Sequence, residues 1–230
     1  MRKGEFVLIM VLFTAALTAM AGFLVYFSFL QPEMESGNIK KQQDTGIVYA
    51  AVLFTFGLIA RLIIAGVYHG HETDMNCFSG WSTMIFKDGM SAFYSSDTFT
   101  DYPPGYMYVL YVIGAIRSFL PISGGGLDIL LKTPAIVCDM ITGVFVYNLA
   151  KKKYSETMSI CVGGFFILNP AMIINSSFWG QVDSVFTLFL VLMVYFVSEK
   201  KMIQSYFMFA LAIFVKPQAF IFTPIINYGI

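Results

Sequence analysis

Charge is scarce in this sequence. Only 12% of its 230 residues are Asp, Glu, Lys or Arg, and the 14 basic residues are balanced by 14 acidic ones. Without a net positive charge the chain has no electrostatic grip on a phosphate backbone, which removes nucleic-acid binding. Cysteine is scarce too. Cys77, Cys138 and Cys161 make an odd number and no C-x-x-C pair, so neither a disulfide framework nor a zinc cluster is legible, and the three read as packing residues. What is plentiful is apolar: 57% of the residues are hydrophobic and 17% are aromatic. That richness excludes disorder, and a soluble domain carries fewer apolar and about twice as many charged residues. The chain reads as an all-α, polytopic membrane protein.

A bilayer core asks for ~20 apolar residues per helix, and such runs fall at Phe6–Leu30, Ile47–Tyr68, Gly105–Leu120, Leu127–Ala150, Met158–Ile174, Val182–Val197 and Met202–Ile226. Residues 1–46 form an N-terminal anchor helix and polar linker, and residues 47–230 form the main transmembrane module. The order of Met1-Arg2-Lys3, an apolar run and Ala19-Met20-Ala21 resembles a signal peptide, but the run continues to Leu30, which favours an uncleaved anchor. At the other end the chain stops at Tyr228-Gly229-Ile230, straight after an apolar run, and reads as truncated.

Lysine placement argues sidedness. Lys151-Lys152-Lys153 and Lys200-Lys201 fall on the cytoplasmic side, which puts the turn Asn175–Asp183 on the outer face. The long loop His69–Pro104 carries Glu72, Asp74, Asp88, Asp97 and Asp101 against the single Lys87, so it looks extracytoplasmic. If Gly105–Leu120 crosses, that loop lands inside; the segment is short and contains Arg117, so re-entry or an interfacial position is the other reading.

Ionisable groups within apolar segments are expensive and mark functional sites by default. At 1.5 Å per residue Lys216 lies roughly 20 Å from Lys201, Asp139 roughly 18 Å from Lys151, and Lys132 roughly 28 Å from it, so all three sit in the outer half with Asp183. Asp139 reads either as a site residue or as a helix-packing hydrogen bond, and Lys132 either as a site residue or as a snorkelling end residue. Lys216 precedes Pro217, which breaks the helical ladder at that depth. Lysines beside acids near the lipid–water boundary suit a phosphate carried on a lipid tail.

In the long loop Asp74, Phe78 and Trp81 are spaced i, i+4, i+7. This predicts one carboxylate and two aromatics on one face of a helix lying along the membrane surface; Asp74 as an N-cap gives the same spacing. Thr100-Asp101-Tyr102-Pro103-Pro104-Gly105 then leads stiffly into the next segment.

An acid followed by Trp81, then Asp101-Tyr102-Pro103-Pro104, then Lys132-Thr133-Pro134 ahead of Asp139, then Asn169-Pro170 ahead of Asp183 together resemble the GT-C superfamily of integral-membrane glycosyltransferases. The order of these motifs along residues 47–226 is most similar to bacterial mannosyltransferase-like relatives of the GPI second mannosyltransferase. The resemblance implies a GT-C-type helix bundle with interfacial helices in a long extracytoplasmic loop, in a bacterial cell membrane. It implies inverting transfer of a hexose, mannose or a similar sugar, from a polyprenyl-phosphate donor to an acceptor hydroxyl on a lipid, glycan or protein, with no cofactor and no metal. Asp74 matches the family's catalytic acid and would deprotonate the acceptor. Asp101 or Asp183 would orient acceptor or sugar, Lys216 would pair with the leaving phosphate, and Trp179, Gln181 and Trp81 would stack on and hydrogen-bond the sugar. Lys132 and Asp139 join the expected substrate-binding set.

Two rivals remain. His69, His71, Glu72 and Asp74 have the residue types of a metal site, although catalytic zinc favours histidines at i, i+4. A transporter or flippase would also place charges at depth, but it predicts repeated halves and a midplane site, and no repeat is legible.

Overall fold

A computed structural model describes residues 39–95 and 99–227 of the chain. The expected anchor helix Phe6–Leu30 lies outside the described residues. Among the described residues every regular element is helical. In chain order these are α1 (Ile39–Val67), α2 (Glu72–Ser95), α3 (Pro104–Phe119), α4 (Gly125–Lys151), α5 (Glu156–Ile167) and the single turn α6 (Pro170–Ile173). A π-helical turn, Ile174–Trp179, leads to α7 (Asp183–Ser198) and α8 (Met202–Val215); a 3-10 segment, Pro217–Phe222, and α9 (Thr223–Asn227) follow. Three stretches are long and apolar enough to cross a membrane: Gly46–Val67, Gly125–Lys151 and Glu156–Trp179. On α1, Val52, Phe56, Ile59 and Ile63 are each more than half exposed, a face whose matching solvent is hydrocarbon.

The chain divides into two compact units. Among the described residues, one holds those up to Arg61 together with Met140–Ile174, and the other holds those of Leu62–Asp139 together with those from Asn175 onward. The helices α1 and α4 contribute to both. In the first unit Ser155 caps α5 by accepting a hydrogen bond from the Met158 amide, and Glu156 supplies a negative charge in the first turn, where the helix dipole favours it. Glu156 also pairs with Lys151 at 3.0 Å and accepts a hydrogen bond from the Tyr147 hydroxyl.

The second unit holds all of the polar groups developed below. Its helix α3 starts where Pro104 occupies the first turn behind Pro103, as the double proline predicts. At 16 residues it spans about 24 Å, short of a bilayer core. It packs on α2 closely enough that a Cβ at Gly114 would come within 2.1 Å of the Ser82 carbonyl oxygen. Arg117 bolts the pair by donating to the Ser79 carbonyl at 2.8 Å and to the Ser82 and Thr83 hydroxyls at 2.9 and 3.1 Å.

The expected interfacial face of α2 is turned into the protein. Phe78 is 1% exposed and Trp81 5%, because Tyr102 and Tyr106 from the following segment supply edge-on ring partners to Phe78 at 5.6 and 5.5 Å. Trp81 is edge-on to Phe78, Phe93 and Tyr102, so its indole is packed on all sides and is unavailable as a sugar-stacking surface. The helix bends at Gly89, whose φ of 83° is non-helical. Further on, α8 stops at Val215 because Pro217 has no N–H to continue the ladder, and Lys216 becomes extended.

Candidate functional site

Four short stretches of the second unit meet at one polar cluster: the first turn of α2, the turn Phe178–Val182, the start of α7 and the end of α8. Asp74 sits in the first turn of α2 with its side chain about a quarter exposed. Two donors and a histidine nitrogen converge on its Oδ2. Gln181 donates Nε2–H at 2.5 Å, Trp179 donates Nε1–H at 3.2 Å, and Nδ1 of His71 lies at 3.3 Å. Its other oxygen, Oδ1, has no partner among the described residues. Directional bonds to one oxygen of a carboxylate fix its plane and leave the second free to accept.

Gln181 also works in the other direction: its Oε1 lies 3.5 Å from the Lys216 ammonium. Lys216 in turn pairs with Asp183 Oδ1, while Asn175 donates to Asp183 Oδ2 at 3.0 Å. The ammonium also lies over the rings of Tyr102 and Phe186, 5.6 and 5.9 Å from their centroids. The result is a connected series, His71–Asp74–Gln181–Lys216–Asp183–Asn175, in which one amide separates an acid from an ammonium.

The π-helical turn delivers two members of this series. Its extra residue per turn brings the Gly180 and Gln181 amides onto the Asn175 carbonyl at 3.2 and 3.0 Å, and such turns recur at functional sites. Gly180 has a φ of 89°, and a Cβ there would meet Met75 Sδ at 2.6 Å. Trp179 remains 43% exposed, stacked on His71 with ring centroids 5.4 Å apart and planes 21° apart. An exposed indole with its N–H on a carboxylate offers an apolar face beside a hydrogen-bond acceptor, the combination that sugars favour.

Of the residues expected from the sequence, the structure brings together Asp74, Trp179, Gln181, Asp183 and Lys216. Asp101 is exposed at the edge of the same region. Its charge registers on two neighbours: burial first, then the carboxylates of Asp74, Asp101 and Asp183, push the Tyr102 phenol far up, and burial, Asp101 and Asp74 raise the Cys77 thiol. Lys132 is close by but turned away from solvent, fully buried with its ammonium on backbone carbonyls. Asp139, also fully buried, lies two turns further along α4, about 10 Å from Lys132 along the axis, and is not part of the series.

His71 and Asn175 were not singled out for this site by sequence reasoning. His71 is at i−3 from Asp74 on the way into a helix, a spacing that faces the two side chains. The metal reading divides between two acids: His69 pairs with Asp128 at 2.8 Å while His71 pairs with Asp74. Among the described residues no three His, Cys, Asp or Glu side chains converge to hold a metal ion.

This fold and cluster define an all-helical membrane protein with a partly exposed network of acids, an amide and an ammonium at its helix ends. The chain belongs to the family described as GPI transamidase subunit PIG-U, which matches residues 80–230. The match covers Asp101, Trp179, Gln181, Asp183 and Lys216, and begins after Asp74. No curated protein and no solved structure matches the chain.

Proposed function

We propose that this chain acts in GPI-related processing, as its family's name suggests, by holding the saccharide–phosphate head of a lipid-linked glycan in the Asp74–Gln181–Lys216–Asp183 series while the lipid tail stays in the bilayer. The observation that carries this reading is Gln181, whose single amide ties Asp74 to Lys216 beside the exposed face of Trp179. Hydroxyls can replace the amide on Asp74, and a phosphate can share Lys216 with Asp183. An expected bacterial membrane receives no support from the family match.

The test is direct binding of a GPI-type glycolipid to the protein in lipid nanodiscs, beside Trp179→Ala and Lys216→Ala. Each substitution is expected to weaken binding about tenfold, the effect of one charge-assisted or stacking interaction. Equal binding by all three proteins overturns the reading.

A catalytic version, sugar transfer of the GT-C type, is favoured by one observation, that Oδ1 of Asp74 has no partner among the described residues. In it an acceptor hydroxyl gives its proton to Asp74 Oδ1 as its oxygen bonds the anomeric carbon. The bond from that carbon to the phosphate oxygen breaks, and polyprenyl phosphate leaves with the electron pair, its charge met by Lys216. Such a displacement inverts the anomeric centre. Polyprenyl-phosphate mannose and glucose, labelled in the sugar, test it: release of polyprenyl phosphate that depends on Asp74 supports transfer, and no release from either donor removes it.

A further inference from the structure

Among the described residues Lys132 is a buried cation with no carboxylate in hydrogen-bonding distance. Its side chain is 0% exposed, and its ammonium meets three backbone carbonyls: Tyr68 at 2.5 Å, and Ala65 and Phe178 at 3.4 Å each. A lysine has three N–H donors, and three acceptors account for all of them. The expectation that it binds substrate meets a physical obstacle, since its charged end has no open side. Two of the carbonyls belong to the C-terminal end of α1, where carbonyls lack helical partners and the dipole favours a cation. The third belongs to the turn that carries Trp179 and Gln181.

The surrounding geometry ties the same pieces together. One turn before Lys132 on α4, Asp128 holds His69 at 2.8 Å, so one face of that helix fastens the chain leaving α1 twice. Gly70, with a φ of 99°, is pressed so close that a Cβ would lie 2.4 Å from the Trp179 carbonyl oxygen, and that oxygen accepts from the His71 amide at 3.0 Å. A Cβ at Gly180 would come within 3.3 Å of Lys132 Cε, which places the lysine stem directly beneath the turn. All three groups on Asp74 Oδ2 therefore stand on backbone that converges on Lys132: Trp179 and Gln181 follow Phe178, and His71 follows Tyr68.

We propose that Lys132 is a positioning residue, whose ammonium fastens the Phe178–Gln181 turn to the end of α1 and so aims Trp179, Gln181 and His71 at Asp74. The effect on glycolipid binding rests on the function proposed above; the placement of Trp179 does not.

Trp81 and Trp179 are the two tryptophans, so in a Trp81→Phe background Trp179 is the sole indole and reports its own surroundings. Lys132→Met keeps most of the stem and removes the ammonium. With helix content unchanged by circular dichroism, its expected signature is a red-shifted Trp179 emission, easier quenching by acrylamide as the indole leaves His71, and about tenfold weaker glycolipid binding. Trp179 emission and quenching identical to those of the Trp81→Phe parent overturn the proposal. If Lys132→Met does not accumulate as folded protein, Lys132→Gln decides, because it is neutral, shorter than lysine and has only two N–H donors for three carbonyls: a partial red shift supports the clamp and an unmoved spectrum removes it. A shifted spectrum in a protein whose parent binds no glycolipid leaves the clamp standing and removes the proposed function.

Discussion

Lys216 and Asp183, thirty-three residues apart, form an ion pair that joins the end of α8 to the start of α7, and Gln181 extends it to Asp74. Both ends of this linkage sit where a helix terminates. A lysine at a broken helix C-terminus and an aspartate in a first turn each find the dipole in their favour, so the pair is held in place by the backbone as well as by its own attraction. The side chains are partly open to solvent, which limits their contribution to stability and leaves them able to change partners.

Lys216→Ala and Asp183→Asn are expected to cost about 1 kcal/mol of stability each, the range of a solvent-screened pair. The double substitution should cost less than the sum, because each single change already removes the shared interaction. Denaturation midpoints of the four proteins give the coupling directly. Strict additivity would show that the pair does not act as one.

Asp74→Asn separates binding from chemistry. It keeps the shape of the side chain but loses the basic oxygen, so under the transfer reading turnover falls about 100-fold or more while glycolipid binding changes little. Under the binding reading the same variant alters affinity alone. Parallel measurement of affinity and of polyprenyl-phosphate release distinguishes the two.

Cys77 reports on Asp101. Burial and the carboxylates of Asp101 and Asp74 raise its thiol above the ordinary value, so maleimide modification near pH 8 should be slow. Asp101→Asn removes one of the causes and is expected to speed labelling about twofold. Mass spectrometry of the labelled protein, resolved by cysteine, measures it. An unchanged rate would place the Asp101 charge outside this cluster.

Gly114→Ala tests the seam between α2 and α3. A methyl group 2.1 Å from the Ser82 carbonyl oxygen has to push two backbones apart, at a cost of about 1–3 kcal/mol. The helices would also pull Arg117 away from Ser79, Ser82 and Thr83. A stability loss below a few tenths of a kcal/mol would mean the seam is looser than its geometry.

Much of this site was legible along the chain. Helical depth counted from lysine-rich turns placed Asp183 and Lys216 at one level, and they pair. Pro217 predicted the end of α8, and Pro103-Pro104 the start of α3. Gln181 and Trp179, named through the superfamily resemblance, came together at Asp74. Trp81 did not, because an aromatic face predicts burial without saying whether protein or membrane buries it; here Tyr102 and Tyr106 do. Lys132 did not either, since depth gives its level on the helix but not the direction of a long flexible side chain.

The sequence by itself determined the apolar runs, the helix breaks and the levels at which charges sit, because each follows from local propensity, from proline's missing N–H and from a fixed rise per residue. Only the tertiary structure decided which charges meet solvent and which are spent on backbone. That choice depends on where unsatisfied carbonyls fall in space, and the carbonyls of Ala65, Tyr68 and Phe178 meet at Lys132 from stretches of chain more than a hundred residues apart.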